Sequence, residues 1–183
     1  IVSADGWVAE TYRILVANAK KKMIDKGWTC DLVPKELVIN RYFETEKRAL
    51  ESLETEKESI ANKITELEEE HNTEDGYFGE IEKISKTNVD KRYKALKKEE
   101  DTAAEELEVL KQYINLHTKL SNTNKKIKQA EAALDEKLYA KYPTLTETEV
   151  KQLVVDDKWM QTIENAIKGE IDHISQRLTN RIK

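Results

Sequence analysis

The chain has 183 residues, of which 37% are charged and 38% hydrophobic, and its formal net charge is −5. Gly and Pro are scarce, at five and two, a composition typical of long helices rather than of a compact α/β domain. The negative balance gives no global basic field for nucleic acid, no apolar run approaches the roughly 20 residues that span a bilayer, and a single cysteine excludes an internal disulfide and a cysteine-built zinc site.

Residues 1–33 are the least periodic part of the chain. The stretches GWVAETYRILV and KGWTCDLV are rich in aromatic and β-branched residues, which predicts short strands or extended segments separated at Gly27. The opening IVSADGW lacks the basic start and apolar core of a signal peptide. Because the chain begins without Met and stops inside a helical pattern, we expect a fragment of a longer protein.

A long antiparallel coiled-coil hairpin is predicted over residues 34–141, with its tip at about residues 72–88. Apolar residues recur at alternating steps of four and three up to about His71, which is a heptad seam. The stretch HNTEDGYFGE is rich in turn residues, and a second helix is predicted from about Val89 to Lys141. Since the connector is short, the two helices should fold back on each other.

The second helix should be longer than the first by about 15 residues, or roughly 20 Å. Its apolar positions Ile127, Leu134 and Leu138 would then project past the base of the first helix. The N-terminal segment, the C-terminal helix or another chain must cover them. These three residues are therefore candidate partner-docking positions.

Residues 142–183 predict a short helix followed by an amphipathic helix. Thr146 and Glu149 stand at the spacing of a capping box, which favours a helix start there. Apolar residues then repeat along one side of the final helix. The candidate partner-docking residues of this region are Trp159, Ile163, Ile167, Ile174 and Leu178.

Two adjacent aspartates, Asp156 and Asp157, stand just ahead of the final helix. Acid–base or metal chemistry would need a pocket and a second polar group, and the sequence indicates neither nearby. A helix cap needs no partner, so we expect Asp156 to cap the helix and Asp157 to lie in its first turn. No histidine stands at a metal-ligand spacing and no glycine-rich phosphate loop occurs, so we predict no catalytic, cofactor-binding or metal residue.

Several stretches together resemble the C-terminal part of the modification subunit of type I restriction–modification systems: DGWVAETYRI, KGWTCDLVPKELVINRYF, ELEEEHNTEDG, AALDEKLYAKYPTLTETEVKQLVVDDKWM and ISQRLTNRIK. The resemblance spans nearly the whole chain, and LVVDDKWM is its most specific piece. The family's subunit is a DNA adenine-N6 methyltransferase that uses S-adenosylmethionine. It holds the methyl donor in a glycine-rich loop of a separate α/β domain and the adenine in an Asn-Pro-Pro-aromatic motif, and neither motif occurs in this sequence.

The resemblance implies a helical fragment without catalytic or cofactor residues, whose residues 1–33 join an absent catalytic domain. S-adenosylmethionine would be a cofactor of the full-length protein only. The implied partners are the specificity and restriction subunits, and DNA is reached through their complex. The implied location is cytoplasmic, with no membrane contact, and self-association of the isolated fragment stays open.

Two other interpretations stay open. A non-enzymatic coiled-coil scaffold or tether would show the same heptads. Direct nucleic-acid binding by the basic stretches KKK and KRYKALKK is the third interpretation. The acidic balance of the chain disfavours it, and the acidic runs near each basic stretch are typical of a solvated helix face.

Overall fold

The structure, a computed structural model, describes residues 6–17, 19, 21–73, 76–81, 83–98 and 104–182, with backbone only at 161, 178 and 180–182. Its strands are β1 (Tyr12–Ala17) and β2 (Met23–Thr29). Its helices are α1 (Lys35–Tyr42), α2 (Glu44–His71), α3 (Lys86–Leu96), α4 (Ala104–Lys141), α5 (Glu147–Gln152) and α6 (Gln161–Ile182). A 3₁₀ turn (Tyr142–Thr144) precedes α5, and a π-helical segment (Leu153–Met160) joins α5 to α6. The predicted fold class is confirmed: the chain is mainly helical, with a long helix pair, α2 and α4, and a small N-terminal sheet.

The N-terminal sheet is an antiparallel hairpin of β1 and β2. Its register shifts between Arg13 and Leu15, where two residues of β2 oppose one of β1. One of the two is Gly27, whose φ of +100° is a conformation that L side chains rarely adopt. The strand break predicted at Gly27 is therefore wrong, because the glycine forms a β-bulge inside β2 instead of ending it.

The chain forms two compact units, one of Ile1–Lys47 with Ala133–Lys183 and the other of Arg48–Ala132. Segments distant in sequence share the core of the first unit. Its buried residues are Trp28, Cys30, Leu32, Val33, Leu37, Val38, Leu134, Leu138, Tyr142, Val150, Leu153 and Val154.

Trp28 holds the N-terminal segment onto the end of α4 in the first unit. Its indole Nε1 donates to the Asp135 carboxylate at 2.8 Å, and its ring meets that of Tyr142 edge-on at 5.0 Å. The Lys35 ammonium lies 3.8 Å from the Trp28 ring centroid and 2.6 Å from the other Asp135 oxygen. These contacts lower the pKa of Asp135 despite its partial burial. The buried Tyr142 hydroxyl donates to the Val33 carbonyl at 2.8 Å.

The end of α4 is covered by the chain itself. Leu134 and Leu138 are buried in the same core as Trp28, Val33 and Val150, so the N-terminal segment and the region after α4 both contribute the cover. Ile127 is also buried, at 7% exposure. The prediction that Ile127, Leu134 and Leu138 dock a partner is therefore wrong, because their apolar surface is already removed from water.

In the second unit, α3 and α4 are two separate helices, although the sequence predicted one continuous helix. α3 ends at Leu96 and α4 begins at Ala104, so the single helix predicted from Val89 to Lys141 is wrong. α3 folds back beside α4, because Lys86 bonds Thr118 while Arg92, one and a half turns further along α3, pairs with Glu106. The fold-back places the apolar face of α3 on the shared core. The buried residues of that core are Ile60, Ile64, Leu67, Phe78, Val89, Leu96, Leu110, Tyr113 and Leu116.

We expect Leu110→Ala to lower the free energy of unfolding by about 2–5 kcal/mol, because the side chain is fully buried and its loss leaves a cavity. Urea titration followed by circular dichroism measures the change. Leu53→Ala is the matched control on α2, where the leucine is only half-buried and the loss should be clearly smaller. Equal losses at both positions would contradict the core assigned to this unit.

His117 is the polar group of this core with an unmet hydrogen bond. Its Nε2 is buried and has no partner among the described residues, and its ring lies 4.5 Å from that of Tyr113. Burial lowers the pKa of His117 and the nearby Lys86 lowers it further, against an opposing effect of Glu68. The neutral imidazole is therefore the form that the fold favours.

Stability should consequently fall as the pH drops through about 6.5, the ordinary pKa of histidine. With the folded pKa below the unfolded one, the unfolded chain binds the proton more readily, and protonation favours unfolding. Urea midpoints between pH 7.5 and 5.5 measure this slope. His117→Phe should flatten it, and an unchanged slope in that variant would assign the effect to other groups.

Candidate functional site

The paired aspartates lie inside a continuous helical run. Asp156 and Asp157 are in the middle of the π-helical segment Leu153–Met160, which connects α5 directly to α6. Backbone N–H groups inside a helical run are already bonded, so a carboxylate there has no free donors to cap. The prediction that Asp156 starts the final helix is therefore wrong.

Asp157 instead connects the π-helical segment to α1. Its carboxylate accepts from the Arg41 guanidinium at 2.9 Å, and the same guanidinium donates to the Gln152 side chain at 3.1 Å. Asp156, by contrast, is exposed. Asp157 thus serves packing within the first unit.

An open cleft of about 620 Å³ lies beside the aspartates. Asp156, Asp157 and Glu164 line it together with Arg41. Arg41 neutralises Asp157, and the Lys168 ammonium lies 2.6 Å from Glu164, whose pKa it lowers by hydrogen bonding. A general acid needs a raised carboxyl pKa, and the pairing with Lys168 opposes this at Glu164.

The predicted capping box is confirmed at the start of α5. Thr146 Oγ1 accepts from the Glu149 N–H, and the Glu149 carboxylate accepts from the Thr146 N–H at 2.8 Å. The Tyr42 hydroxyl also donates to Glu149 at 2.8 Å. The Thr146 backbone bond, followed by the Tyr42 and Thr146 hydroxyl bonds, lowers the pKa of Glu149 to about 2.

No constellation for metal or methyl-donor binding stands in the described part of the chain. It contains no group of three or more His, Cys, Asp or Glu residues that could hold a metal ion. The described glycines are isolated, and Gly76 is explained by packing, since a Cβ there would meet the His71 carbonyl oxygen at 2.1 Å.

The largest uncovered apolar surface of a helix runs along α6, where every described side chain is exposed. Its apolar residues follow successive steps of three, four and four, an eleven-residue repeat whose period of about 3.67 keeps them on one side of a nearly straight helix. We call these residues the α6 stripe. They are Met160, Ile163, Ile167, Ile171 and Ile174, each about half exposed.

Most of the predicted C-terminal docking residues belong to this exposed surface. Ile163, Ile167 and Ile174 lie in the α6 stripe, and Trp159, just before α6, is 52% exposed. The side chain of Leu178 is outside the description. Ile171, at 55% exposure, was missed as a docking residue, although its place in the repeat identifies it.

A second exposed apolar surface, which sequence reasoning missed, is the β1–β2 hairpin. Adjacent β1 residues point to opposite faces of a strand, yet Leu15 and Val16 are both exposed. Met23 and Ile24 of β2 are exposed in the same way. A two-stranded hairpin rarely buries enough surface to be stable alone. The sequence feature that could have predicted this surface is the apolar, β-branched composition of β1, in which polar and apolar residues do not alternate.

Comparison with known proteins identifies no relative. No protein-family model, no curated protein and no solved structure matches this chain. Among the described residues, no helix is both long and apolar enough to cross a membrane. The assignment of a function therefore rests on the chain's own sequence and surfaces.

A double-mutant cycle separates the two aspartates. Arg41→Gln and Asp157→Asn should couple by about 0.5–1 kcal/mol, as expected for a half-exposed ion pair. Arg41→Gln and Asp156→Asn should not couple, and Asp156→Asn alone should change the free energy of unfolding by no more than about 0.5 kcal/mol. Urea denaturation measures both cycles. A loss of about 1 kcal/mol or more from Asp156→Asn would restore the capping role.

Proposed function

We propose that this chain is the helical assembly region of a type I modification subunit, which docks on helices of the DNA specificity subunit. The exposed α6 stripe is the observation that carries the proposal. Half-exposed isoleucines on an otherwise polar helix are stabilised when a second apolar helix covers them. Each would contribute about 1 kcal/mol on burial, since a fully buried side chain of this size contributes about 1.5–3 kcal/mol.

The sequence resemblance supplies the identity of the partner. The stretch LVVDDKWM, its most specific piece, is the π-helical segment that leads into α6. The most specific resemblance and the start of the α6 stripe thus coincide at Trp159 and Met160. This supports docking through α6, with the restriction subunit joining the assembled core and the full-length protein acting in the cytoplasm.

The proposal assigns methylation to the full-length protein and not to this chain. Adenine-N6 methylation of DNA would use S-adenosylmethionine held by a catalytic domain that these residues do not provide. The β1–β2 hairpin supports such a junction, because its exposed apolar faces are those of a sheet that lacks its neighbours. The chain alone should therefore neither bind the methyl donor nor methylate DNA.

A second candidate function is a non-enzymatic tether that pairs through α6 with another copy of itself. The sequence of α6 allows an antiparallel pair that would bring Glu164, near the start of the helix, close to Arg177 and Arg181, near its end. Opposite charges would then face each other near the ends of the pair. Sedimentation equilibrium of the chain distinguishes this candidate, which requires a concentration-dependent dimer.

Binding of the chain to a tagged type I specificity subunit tests the docking. Ile167→Asp with Ile174→Asp should abolish co-purification, because each variant places a charge inside the buried contact. The matched control is Asn165→Asp with Gln176→Asp, which adds the same charge on the opposite side of α6 and should bind as the unchanged chain does. No binding by the unchanged chain would overturn the proposed function. Binding that survives both stripe substitutions would overturn the role of α6.

A further inference from the structure

Opposite charges are segregated onto different helices in the unit Arg48–Ala132. α2 carries ten glutamates against four lysines and arginines along its length. Residues 83–98, which include α3, carry six lysines and one arginine against a single aspartate. Residues 109–130 of α4 carry five lysines and no carboxylate. The overall charge of −5 therefore conceals a strongly basic surface.

The five lysines in residues 109–130 of α4 are unneutralised. They are all exposed, and none forms an ion pair within the part of the chain that the structure describes. They are Lys111, Lys119, Lys125, Lys126 and Lys128. Lys111 and Lys119 line one cavity, which also contains Glu108, whereas Lys125 and Lys128 line another.

A groove between the start of α3 and the middle of α4 collects three positive charges, one from α3 and two from α4. It is an open cavity of about 500 Å³, lined by Lys86, Lys125 and Lys128 and by the polar side chains of Ser121 and Asn124. No carboxylate lines it. Among the described residues, the Lys86 ammonium donates to the Thr118 hydroxyl at 2.9 Å, and an ammonium has three donors. Mutually repelling ammonium groups around a cavity without a counter-charge favour an anionic ligand.

The same surface does not suit a protein partner. No large hydrophobic side chain is exposed in the described residues of this unit, whereas protein interfaces bury an apolar centre. A single-stranded nucleic acid needs exposed aromatic rings on which its bases stack, and this unit exposes none in its described part. The phosphates of a duplex need only exposed cations, which the groove and the neighbouring lysines of α3 present.

We propose that the α3–α4 face, meaning the lysines of residues 83–98 together with Lys125 and Lys128, binds the phosphate backbone of double-stranded nucleic acid without reading its sequence. This surface is separate from the α6 stripe, and the proposal does not depend on the proposed function. DNA and RNA duplexes present the same phosphate chemistry. The two therefore form separate arms of the test.

Fluorescence anisotropy of the complete 183-residue chain with a labelled 30-base-pair DNA duplex, and with the matching RNA duplex, tests the proposal. We expect micromolar binding at 50 mM salt, with log affinity falling linearly as log salt rises. Lys125→Gln with Lys128→Gln should weaken binding by about tenfold and make the salt slope shallower by about two. The charge-matched control is Lys26→Gln with Lys57→Gln, two exposed lysines outside the face, which should leave affinity and slope unchanged.

Binding of either duplex with these variant effects supports the proposal, and the preferred duplex identifies the nucleic acid. Equal weakening by the control pair would overturn the assignment to the α3–α4 face, since any loss of positive charge would then suffice. Absence of duplex binding at 50 mM salt would overturn the proposal as a whole. Circular dichroism of each variant establishes that its helices are intact.

Discussion

The structure depends on covering the apolar face of α4 along its whole length. α2 covers part of it, and the fold-back of α3 supplies further cover in the same unit. In the first unit, Trp28 and its neighbours bury Leu134 and Leu138. The indole N–H of Trp28 donates to the Asp135 carboxylate, and the Lys35 ammonium contacts both that carboxylate and the Trp28 ring. The first half of this helix and its end are thus buried by different parts of the chain.

The exposed apolar surfaces stand out because the rest of the chain buries its large apolar side chains well. A chain that buries Leu138 and Tyr142 at 2% exposure nevertheless leaves Ile167 at 56%. The repeat along α6 is continuous, so its exposure is a property of a whole helix face rather than of scattered residues. Isolated apolar residues on a surface are ordinary, but an aligned row is typical of an interaction surface. The hairpin of β1 and β2 adds a second such surface in the same unit.

Charged residues, like apolar ones, are concentrated on particular helices. The glutamates of α2 and the lysines of α3 and α4 nearly cancel in the total, and a total of −5 suggested that nucleic acid is an unsuitable partner. The sum of charges governs the field far from a protein, but a ligand in contact responds to the groups within about a Debye length. The α3–α4 face therefore has to be judged by its own lysines, not by the composition of the chain.

Sequence by itself determined which residues are apolar on each helix, the mainly helical fold with its long helix pair, and the capping box of Thr146 and Glu149. These features are local, because periodicity and capping involve residues within one or two turns of each other. Tertiary structure alone decided that α3 folds back at Leu96, that Gly27 forms a bulge and that Asp157 meets Arg41 instead of starting a helix. It also decided that Leu134 is covered by the chain while Ile167 is left exposed. A periodic pattern predicts that a helix face is buried. The segment that buries it is decided by contacts between residues more than 100 positions apart in the sequence, such as Trp28 and Asp135.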